Sequence, residues 1–361
     1  MIDRVDKRPE ISLSEKYNDL PPLAKWKALV LEYGIDLEKD DTFSGFPGIE
    51  GFKTKRAVKN PTVDHFKFID TSSDSRVIAS ELLLTDEARE KRSLVKVAYK
   101  PGSPLVATTH EGTVKMHERE TGQVVPMRVD MVGRRAYSKV RLPTEVDSKQ
   151  PVLEDFVQVV GMDRIGVLAY EGCWHWITSK ACNFCDANPK REGDVSAMPT
   201  LNTLKDFQFD QDEWWNRLGP AYLRGIEYAF RYVIEHEQIE PHKHLQLMAG
   251  NMIFTEKVWE ISEQIADKLN AVEPLQNLDS YLNISAPKRN VEESLRRAKE
   301  VMGFNQIAFN LEVWGEERFR EACPGKAGSI GFNNTVAALE AAVPIFGRGN
   351  VRSNFVLGAQ P

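Results

Sequence analysis

The sequence predicts an α/β fold, in which a partial (β/α) barrel of parallel strands over residues 151–361 follows an α+β region over residues 1–150. Two observations lead to this prediction. Strand-like and helix-like segments alternate after residue 150, as the crossovers between parallel strands require. Before it, short β-branched runs follow one helical segment. A chain of 361 residues also exceeds the length at which a single core normally stops growing, so two regions are expected.

The N-terminal region is predicted to contain one helix and several short strands. Apolar residues recur at helical spacing from about Ser14 to Gly34. A loop rich in glycine follows, and from about Ser93 to Leu142 strand-like runs such as LVKVAYK and RAYSKVRL are separated by glycine and proline. No motif in residues 1–150 indicates a function, so the role of this region stays open.

The C-terminal region is predicted to contain five strands alternating with helices. The strands are DRIGVLAY, LQLMAGNMIF, SYLNISA, QIAFNLEV and NVRSNFVLG. The main helices are expected over about residues 212–236 and in EKVWEISEQIADKLNAV, VEESLRRAKEVMG and NTVAALEAAVPIFG. In barrels of this kind the loops at the carboxyl ends of the strands carry the chemistry, so those loops are where functional residues are sought.

Composition excludes several classes of protein. The chain has 42% hydrophobic and 28% charged residues, as globular proteins do, and a formal net charge of −6, which argues against a nucleic-acid partner. No apolar run reaches the roughly 18–20 residues that span a bilayer, and MIDRVDKRPEISLSEKY at the N-terminus has no apolar stretch typical of a secretory signal. Four unevenly spaced cysteines make no disulfide framework. We therefore expect a cytoplasmic protein with reduced thiols and no membrane partner.

Three of the four cysteines lie in CWHWITSKACNFC, residues 173–185, directly after the first strand of the C-terminal region. Cys173, Cys182 and Cys185 have the spacing C-x8-C-x2-C, and three thiolates leave one position of a metal site open. Zinc with His175 as the fourth ligand is one interpretation, although structural zinc sites often have a second short pair that this sequence lacks. Iron–sulfur is favoured, because cysteine thiolates are the usual ligands of such clusters. Ordinary surface or core cysteines are the third interpretation.

The cysteine loop resembles the cluster loop of radical S-adenosylmethionine (SAM) enzymes, which follows the first barrel strand and reads C-x3-C-x-Φ-C with an aromatic residue at Φ. CNFC matches the end of that motif with Phe184 in the aromatic position, while the first gap is eight residues instead of three. The resemblance covers about residues 160–361 and implies a partial TIM-type barrel. It also implies a [4Fe–4S] cluster bound by Cys173, Cys182 and Cys185.

Three further segments are similar to the parts of this family that bind SAM. MAGN corresponds to a segment whose backbone holds the methionine amino group, which implies that role for Gly250. FNLEVW resembles the N-L-D segment of biotin synthase, and by that likeness Asn310 and Glu312 contact the ribose from one face of a strand. VRSNFVLG resembles the fifth strand of the same enzyme, which implies that Val351 and Ser353 lie near the adenine.

The resemblance implies an enzyme in which the cluster reductively cleaves SAM to a 5′-deoxyadenosyl radical that abstracts hydrogen from a small-molecule substrate. An external one-electron donor such as flavodoxin or ferredoxin is implied with it, and the reaction would be that of an oxidoreductase, a lyase or a transferase. The family barrel normally has six βα units, so the five strands found here leave one strand without an assignment.

Two other functions stay open. One is a zinc-stabilised ligand-binding protein without radical chemistry, and the other is an iron–sulfur assembly or sensing factor. Cys323, in EACPGK after the fourth strand, is a candidate hydrogen donor or thiol ligand, although a half-buried helix-end residue is the simpler interpretation. Arg134, Arg135 and Arg352 are candidate contacts for an acidic substrate, although lone arginines are usually solvated.

Overall fold

The computed structural model describes residues 13, 16–38, 54–56, 77–79, 81–110, 113–161, 163–185, 198–237, 239 and 243–356. The chain forms two compact units, Met1–Arg134 and Arg135–Pro361. Residues 135–150 therefore belong to the second unit. The reason is local packing, because Tyr137 and Leu142 are buried in the core of that unit and the Tyr137 hydroxyl accepts a hydrogen bond from the Val159 N–H at 2.6 Å.

Within its described residues, the first unit has one α-helix and several short strands. Its elements are α1 (Pro22–Tyr33), β1 (Asp36–Leu37), β2 (Thr54–Arg56), β3 (Val77–Ala79), β4 (Glu81–Asp86), a 3-10 turn (Glu87–Arg89), β5 (Lys91–Lys96), β6 (Leu105–His110), β7 (Thr113–Glu118) and β8 (Arg128–Met131). One sheet has the order β1-β6-β7-β8-β4-β5, in which β1 and β6 are parallel and the other pairs antiparallel, and β2 pairs with β3 separately. Trp26, Leu29 and Val30 of α1 share a core with strand residues such as Leu82 and Val95. This is an α+β arrangement.

The second unit alternates strands and helices. Its strands are β9 (Gln158–Val160), β10 (Arg164–Leu168), β11 (His244–Met248), β12 (Asp279–Asn283), β13 (Gln306–Ala308) and β14 (Val351–Arg352). Its helices are α2 (Trp174–Ile177), α3 (Gln211–His236), α4 (Thr255–Asn270), α5 (Val291–Arg296), α6 (Glu316–Ala322), α7 (Pro324–Ser329) and α8 (Phe332–Phe346). A π-helical segment (Arg297–Val301) continues α5, and 3-10 turns occupy Ala136–Lys139, Leu153–Asp155, Leu201–Phe207 and Leu275–Asn277. Of the helices that the structure describes, none combines the length and apolarity needed to cross a bilayer.

The sheet of the second unit runs in the order β14-β13-β12-β11-β10-β9. Strands β10 to β14 are all parallel and follow their sequence order, while β9 pairs antiparallel with β10 at the edge. These five strands are the five predicted from the sequence, so the parallel α/β prediction is confirmed. Among the described residues the sheet is open, with β9 and β14 as its edges, so no closed barrel is formed there. The TIM-type barrel therefore stays a proposal.

The two faces of the parallel sheet differ in chemistry because side chains alternate along each strand. One face is apolar: Ile165, Val167, Leu245, Leu247 and Leu282 are fully buried in the same core as residues of α3, α4, α5 and α8. Crossovers between parallel strands are nearly always right-handed, so strands in sequence order place their helices on one face. The opposite face, here called the polar face, bears the side chains of Arg164, His244, Gln246, Tyr281, Gln306 and Arg352.

Candidate active site

The first cysteine, Cys173, lies in the loop that follows β10, next to the end of β11. Cys173 is the residue before α2, and its sulfur accepts hydrogen bonds from the backbone N–H of Asn251 at 3.4 Å and from its Nδ2 at 3.8 Å. The Trp174 N–H donates to the Asn251 carbonyl at 2.7 Å, and the Ser285 hydroxyl, after β12, donates to Asn251 Oδ1 at 2.5 Å. Burial raises the pKa of the Cys173 thiol, and the N–H donors oppose that rise. Three strand ends thus converge on this sulfur.

Gly250 allows the close approach between the end of β11 and the cysteine loop. A Cβ at this position would lie 2.2 Å from the Gly172 carbonyl oxygen and 3.0 Å from the Cys173 Cβ, so a side chain has no room. The Tyr170 hydroxyl, fully buried at the end of β10, donates to the Gly250 carbonyl at 2.5 Å. Gly250, to which the family resemblance gives a backbone role in binding SAM, therefore lies against Cys173.

The second cysteine lies against the α6–α7 junction. Cys182 packs against a small apolar cluster that contains Cys323, the buried residue between those two helices. The loop is fixed there by three hydrogen bonds, from the Asn183 N–H to the Ala322 carbonyl (2.8 Å), from Asn183 Nδ2 to the Glu321 carbonyl (3.1 Å) and from the Gly325 N–H to the Lys180 carbonyl (3.0 Å). Interaction with the Cys323 thiol, followed by burial, holds the pKa of the Cys182 thiol well above its ordinary value.

The third cysteine and the aromatic residue of the motif follow in the same turn. The Cys185 N–H donates to the Cys182 carbonyl at 3.1 Å, and the Cys185 side chain is half-buried. Phe184 and Cys182 pack against a small apolar cluster that includes Phe319 and Cys323. The aromatic position of the C-x-Φ-C motif thus shields the thiol pair on its apolar side.

A buried lysine organises the segment that follows β13. Lys326, on α7, is 8% exposed, and its Nζ donates to the Asn310 carbonyl at 2.6 Å and lies 3.4 Å from Glu312 Oε1. The backbone of Glu312 has φ of 68°, in the left-handed region that residues other than glycine seldom adopt. Backbone bonds to Asn354 and Val356 fix it there, at 2.9 and 2.8 Å. Both Lys326 and Glu312 interact electrostatically with Cys182.

The chain after β14 completes this edge of the sheet. The Ser353 hydroxyl accepts a hydrogen bond from the Leu311 N–H at 2.9 Å, and Asn310 Oδ1 accepts one from the Asn354 N–H at 3.3 Å. Val351 packs against the core of the unit. Ser353 therefore supports the backbone beside Asn310 and Glu312.

His175, the zinc ligand that one interpretation requires, is directed toward α7. Its Nε2 lies 3.2 Å from the Ser329 hydroxyl, and a Cβ on Gly325 would be 2.4 Å from its Cγ, so the ring is packed closely against the helix. Burial, and then the Lys326 and Lys180 ammonium groups, lower the pKa of His175 to about 4. The imidazole is therefore neutral near pH 7.

A preformed metal centre is not found. Among the residues that the structure describes, no three histidine, cysteine, aspartate or glutamate side chains lie together as a metal-binding group. Cys173 and Cys182 are close enough for the charge of Cys182 to raise the pKa of Cys173. The donor chemistry fits an iron–sulfur cluster, since cysteine thiolates are its usual ligands.

Residues expected from the sequence come together in two groups. Cys173 lies against Gly250, and Cys182 packs against the cluster of Cys323 and is acted on electrostatically by Glu312. Lys326, Asn251 and Ser285 complete these groups, and sequence reasoning missed all three. Asn251 and Ser285 lie toward the ends of the predicted strands LQLMAGNMIF and SYLNISA and follow the observed strands β11 and β12, so a position near a strand end was the available signal. Lys326 carried no such signal, because it reaches the site from a helix.

Comparisons with known proteins give one informative similarity. The chain is similar to bacteriochlorophyllide c C-7(1)-hydroxylase of Chlorobaculum limnaeum, with 24% identity over 211 residues. The match covers 56% of this chain and 48% of the relative, so the chain spans about half the length of the curated relative that it matches. No family model matches the chain, and no solved structure matches it. The relative is, by its name, a hydroxylase.

Proposed function

We propose that this protein is a radical SAM enzyme that acts on a C–H bond of a small-molecule substrate, built on a partial (β/α) TIM-type barrel. The observation that carries the proposal is the edge at which β10, β11 and β13 end. There Cys173 lies against Gly250, and the Glu312 carboxylate acts electrostatically on Cys182. This arrangement at the carboxyl end of a parallel sheet, where chemistry is expected, supports the proposal.

The residues have distinct proposed roles. Cys173, Cys182 and Cys185 would hold a [4Fe–4S] cluster, and the Gly250 backbone would receive the amino group of SAM. The remaining SAM contacts are Asn310, Glu312, Val351 and Ser353. When bound, cluster and SAM supply a hydrogen-abstracting radical on receipt of an electron from a donor such as flavodoxin or ferredoxin.

The chain's own contribution is to position groups and exclude water. Lys326 holds the Asn310 carbonyl and the Glu312 carboxylate in place, so that the carboxylate is oriented before a ligand arrives. Phe184 packs beside Cys182 and limits solvent at the thiols. The N–H groups of Asn251 at the Cys173 sulfur favour its thiolate, which is the form that binds metal.

The named activity of the relative supports this reaction class. Hydroxylation of a carbon substituent breaks a C–H bond, and abstraction of hydrogen from such a bond is the step that a carbon radical performs. The relative's name therefore agrees with the chemistry inferred from the cysteine loop. Its pigment substrate stays a property of that relative.

Anaerobic reconstitution of the full chain with iron and sulfide tests the proposal. We expect a brown protein that converts SAM to methionine and 5′-deoxyadenosine when dithionite is added. Cys182→Ala and Cys185→Ala should abolish both the colour and the cleavage. A colourless protein with stoichiometric zinc would overturn the proposal in favour of a zinc-stabilised binding protein. A cluster without SAM cleavage would favour an iron–sulfur assembly or sensing factor.

The assignment of Glu312 is tested separately. Glu312→Gln should retain the cluster but weaken SAM binding about tenfold or more, because an amide is a poorer acceptor than a carboxylate for the two ribose hydroxyls. Glu317→Gln, an exposed change on α6, is the matched control and should bind SAM as the wild type does. Equal SAM affinity in Glu312→Gln and the control would show that the segment after β13 does not bind the ribose.

A further inference from the structure

The polar face of the parallel sheet has polar atoms that its own neighbours leave unsatisfied. His244 Nε2 and Gln306 Oε1 are buried, and the described residues give neither atom a hydrogen-bond partner. The Gln306 amide nitrogen donates to Asp279, so its oxygen points elsewhere as an acceptor. Buried polar atoms in folded proteins are nearly always paired, so these two atoms are available to an ordered water or to a ligand on this face.

An arginine lies across the same face. Arg352 extends from β14 past Ala308 of β13, its register partner, and its guanidinium carbon lies 4.6 Å from the centre of the Tyr281 ring on β12. The His244 ring, on β11, is 5.0 Å from the Tyr281 ring. A guanidinium stacked on an aromatic ring uses its flat face, so its in-plane N–H donors stay available for a planar bidentate acceptor.

The arginines of the polar face have no carboxylate in close contact. Within the described part of the chain, no carboxylate forms an ion pair with Arg352 or Arg164. Both guanidinium groups act on His244, and the Asp279 and Asp163 carboxylates near it act in the opposite direction. A carboxylate ligand would accept hydrogen bonds from the in-plane N–H groups of the arginine. Such charge-assisted bonds are stronger than those between neutral groups.

We propose that the polar face binds the substrate, and that this substrate is a small organic acid carrying a hydroxyl or amino group. Its carboxylate pairs with Arg352, and its hydroxyl or amino hydrogen is donated to Gln306 Oε1. The identification of this ligand as the substrate rests on the proposed function; the binding itself does not. The Arg352 guanidinium lies over Tyr281, the register partner of Gln306, so the acid would lie on the polar face, on the amino-terminal side of the segment that contains Asn310.

Calorimetric titration of the full chain, in the absence of iron and SAM, tests the site. The probes are L-malate and 4-hydroxybenzoate, the corresponding amides of both, and inorganic phosphate. At least one acid should bind about tenfold tighter than its amide, and Arg352→Gln should remove that difference. Arg348→Gln, an exposed arginine after α8, is the matched control and should bind as the wild type does.

Other outcomes overturn the site. Acids that bind no tighter than their amides, or bind Arg352→Gln and the wild type equally, contradict it, and so does binding of phosphate without binding of either acid. Arg352→Lys is the second variant in case Arg352→Gln does not fold; it keeps the charge but lacks the planar fork, so acid affinity should fall. Because no cluster is present, these results are independent of whether SAM is cleaved.

Discussion

At the scale of single residues, Lys326 shows how a buried charge is tolerated. Its ammonium group is satisfied by the Asn310 carbonyl and the Glu312 carboxylate, and it lies beside the neutral His175 ring. A buried lysine without such partners would shift to its neutral form or destabilise the fold. The strained φ of Glu312 has the same explanation, since strained backbone persists where the surroundings over-determine it and such positions cluster at functional sites.

Replacing Lys326 should therefore be costly. Lys326→Met leaves the Asn310 carbonyl and the Glu312 carboxylate without their donor, and we expect the free energy of unfolding in urea to fall by about 2 kcal/mol. Lys288→Met, at an exposed position, is the control and should change it by less than about 0.5 kcal/mol. Equal stability of the two variants would contradict the role given to Lys326.

A second residue-scale prediction concerns Gly250. In Gly250→Ala the new Cβ would be within 2.2 Å of the Gly172 carbonyl, so the cysteine loop must move and the free energy of unfolding should fall by about 1–3 kcal/mol. Gly328→Ala on α7 is the matched control, because a Cβ there meets no atom within 4 Å. That change should be neutral or stabilising by up to about 1 kcal/mol. A neutral Gly250→Ala would show that the loop does not lie against β11.

At the scale of secondary-structure elements, the order and type of the five parallel strands could be predicted from hydrophobic runs alone. The position at which the fourth of these strands, β13, ends could not be predicted in this way. Strand alternation would place Asn310 and Glu312 on one face, but β13 ends at Ala308 and Glu312 has φ of 68°. The departure depends on backbone bonds to the chain after β14 and on Lys326 from α7, which are distant in sequence. Local patterns of hydrophobic and polar residues carry no information about contacts between segments that are distant in sequence.

The polar face gives an element-scale prediction about pH. Burial, followed by the Arg164 and Arg352 cations, lowers the pKa of His244, and Asp279 and Asp163 oppose the shift. Below its ordinary value of about 6.5 the unfolded chain binds a proton that the folded chain does not. The stability from neutral His244 is therefore present above about pH 6.5 and lost as the pH falls through the folded value.

Urea unfolding at a series of pH values checks this. Between about pH 7 and about pH 5 the free energy of unfolding of the wild type should fall more steeply than that of His244→Gln, which cannot titrate. His236→Gln, an exposed histidine at the end of α3, is the control and should keep the wild-type slope. Parallel curves for the wild type and His244→Gln would contradict the lowered pKa.

At the scale of the whole molecule, each unit has its own apolar core. The buried cluster of the second unit draws only on residues from Tyr137 onward, and that of the first unit ends at Met131. Composition and the change in element type indicated two regions, but not that residues 135–150 belong to the second. The Tyr137 hydroxyl bond to Val159 and the Leu142 packing that place them there are tertiary contacts without a local pattern.

Residues 135–361 expressed alone should therefore fold. We expect one cooperative thermal transition, with the buried Trp214 and Trp215 giving blue-shifted fluorescence as in the full chain, because a domain with its own core folds independently. The full chain is the reference for both measurements. A fragment with exposed tryptophan fluorescence and no cooperative transition would show that the second unit requires the first.

The iron and sulfide content of anaerobically reconstituted cysteine variants tests the central claim most directly. If Cys173, Cys182 and Cys185 are the three protein ligands of one cluster, the wild type and Cys323→Ala should each hold about four irons and about four sulfides per chain. Cys173→Ala should hold almost none. A Cys173→Ala protein that retains the full cluster, or a Cys323→Ala protein that loses it, would contradict this set of ligands.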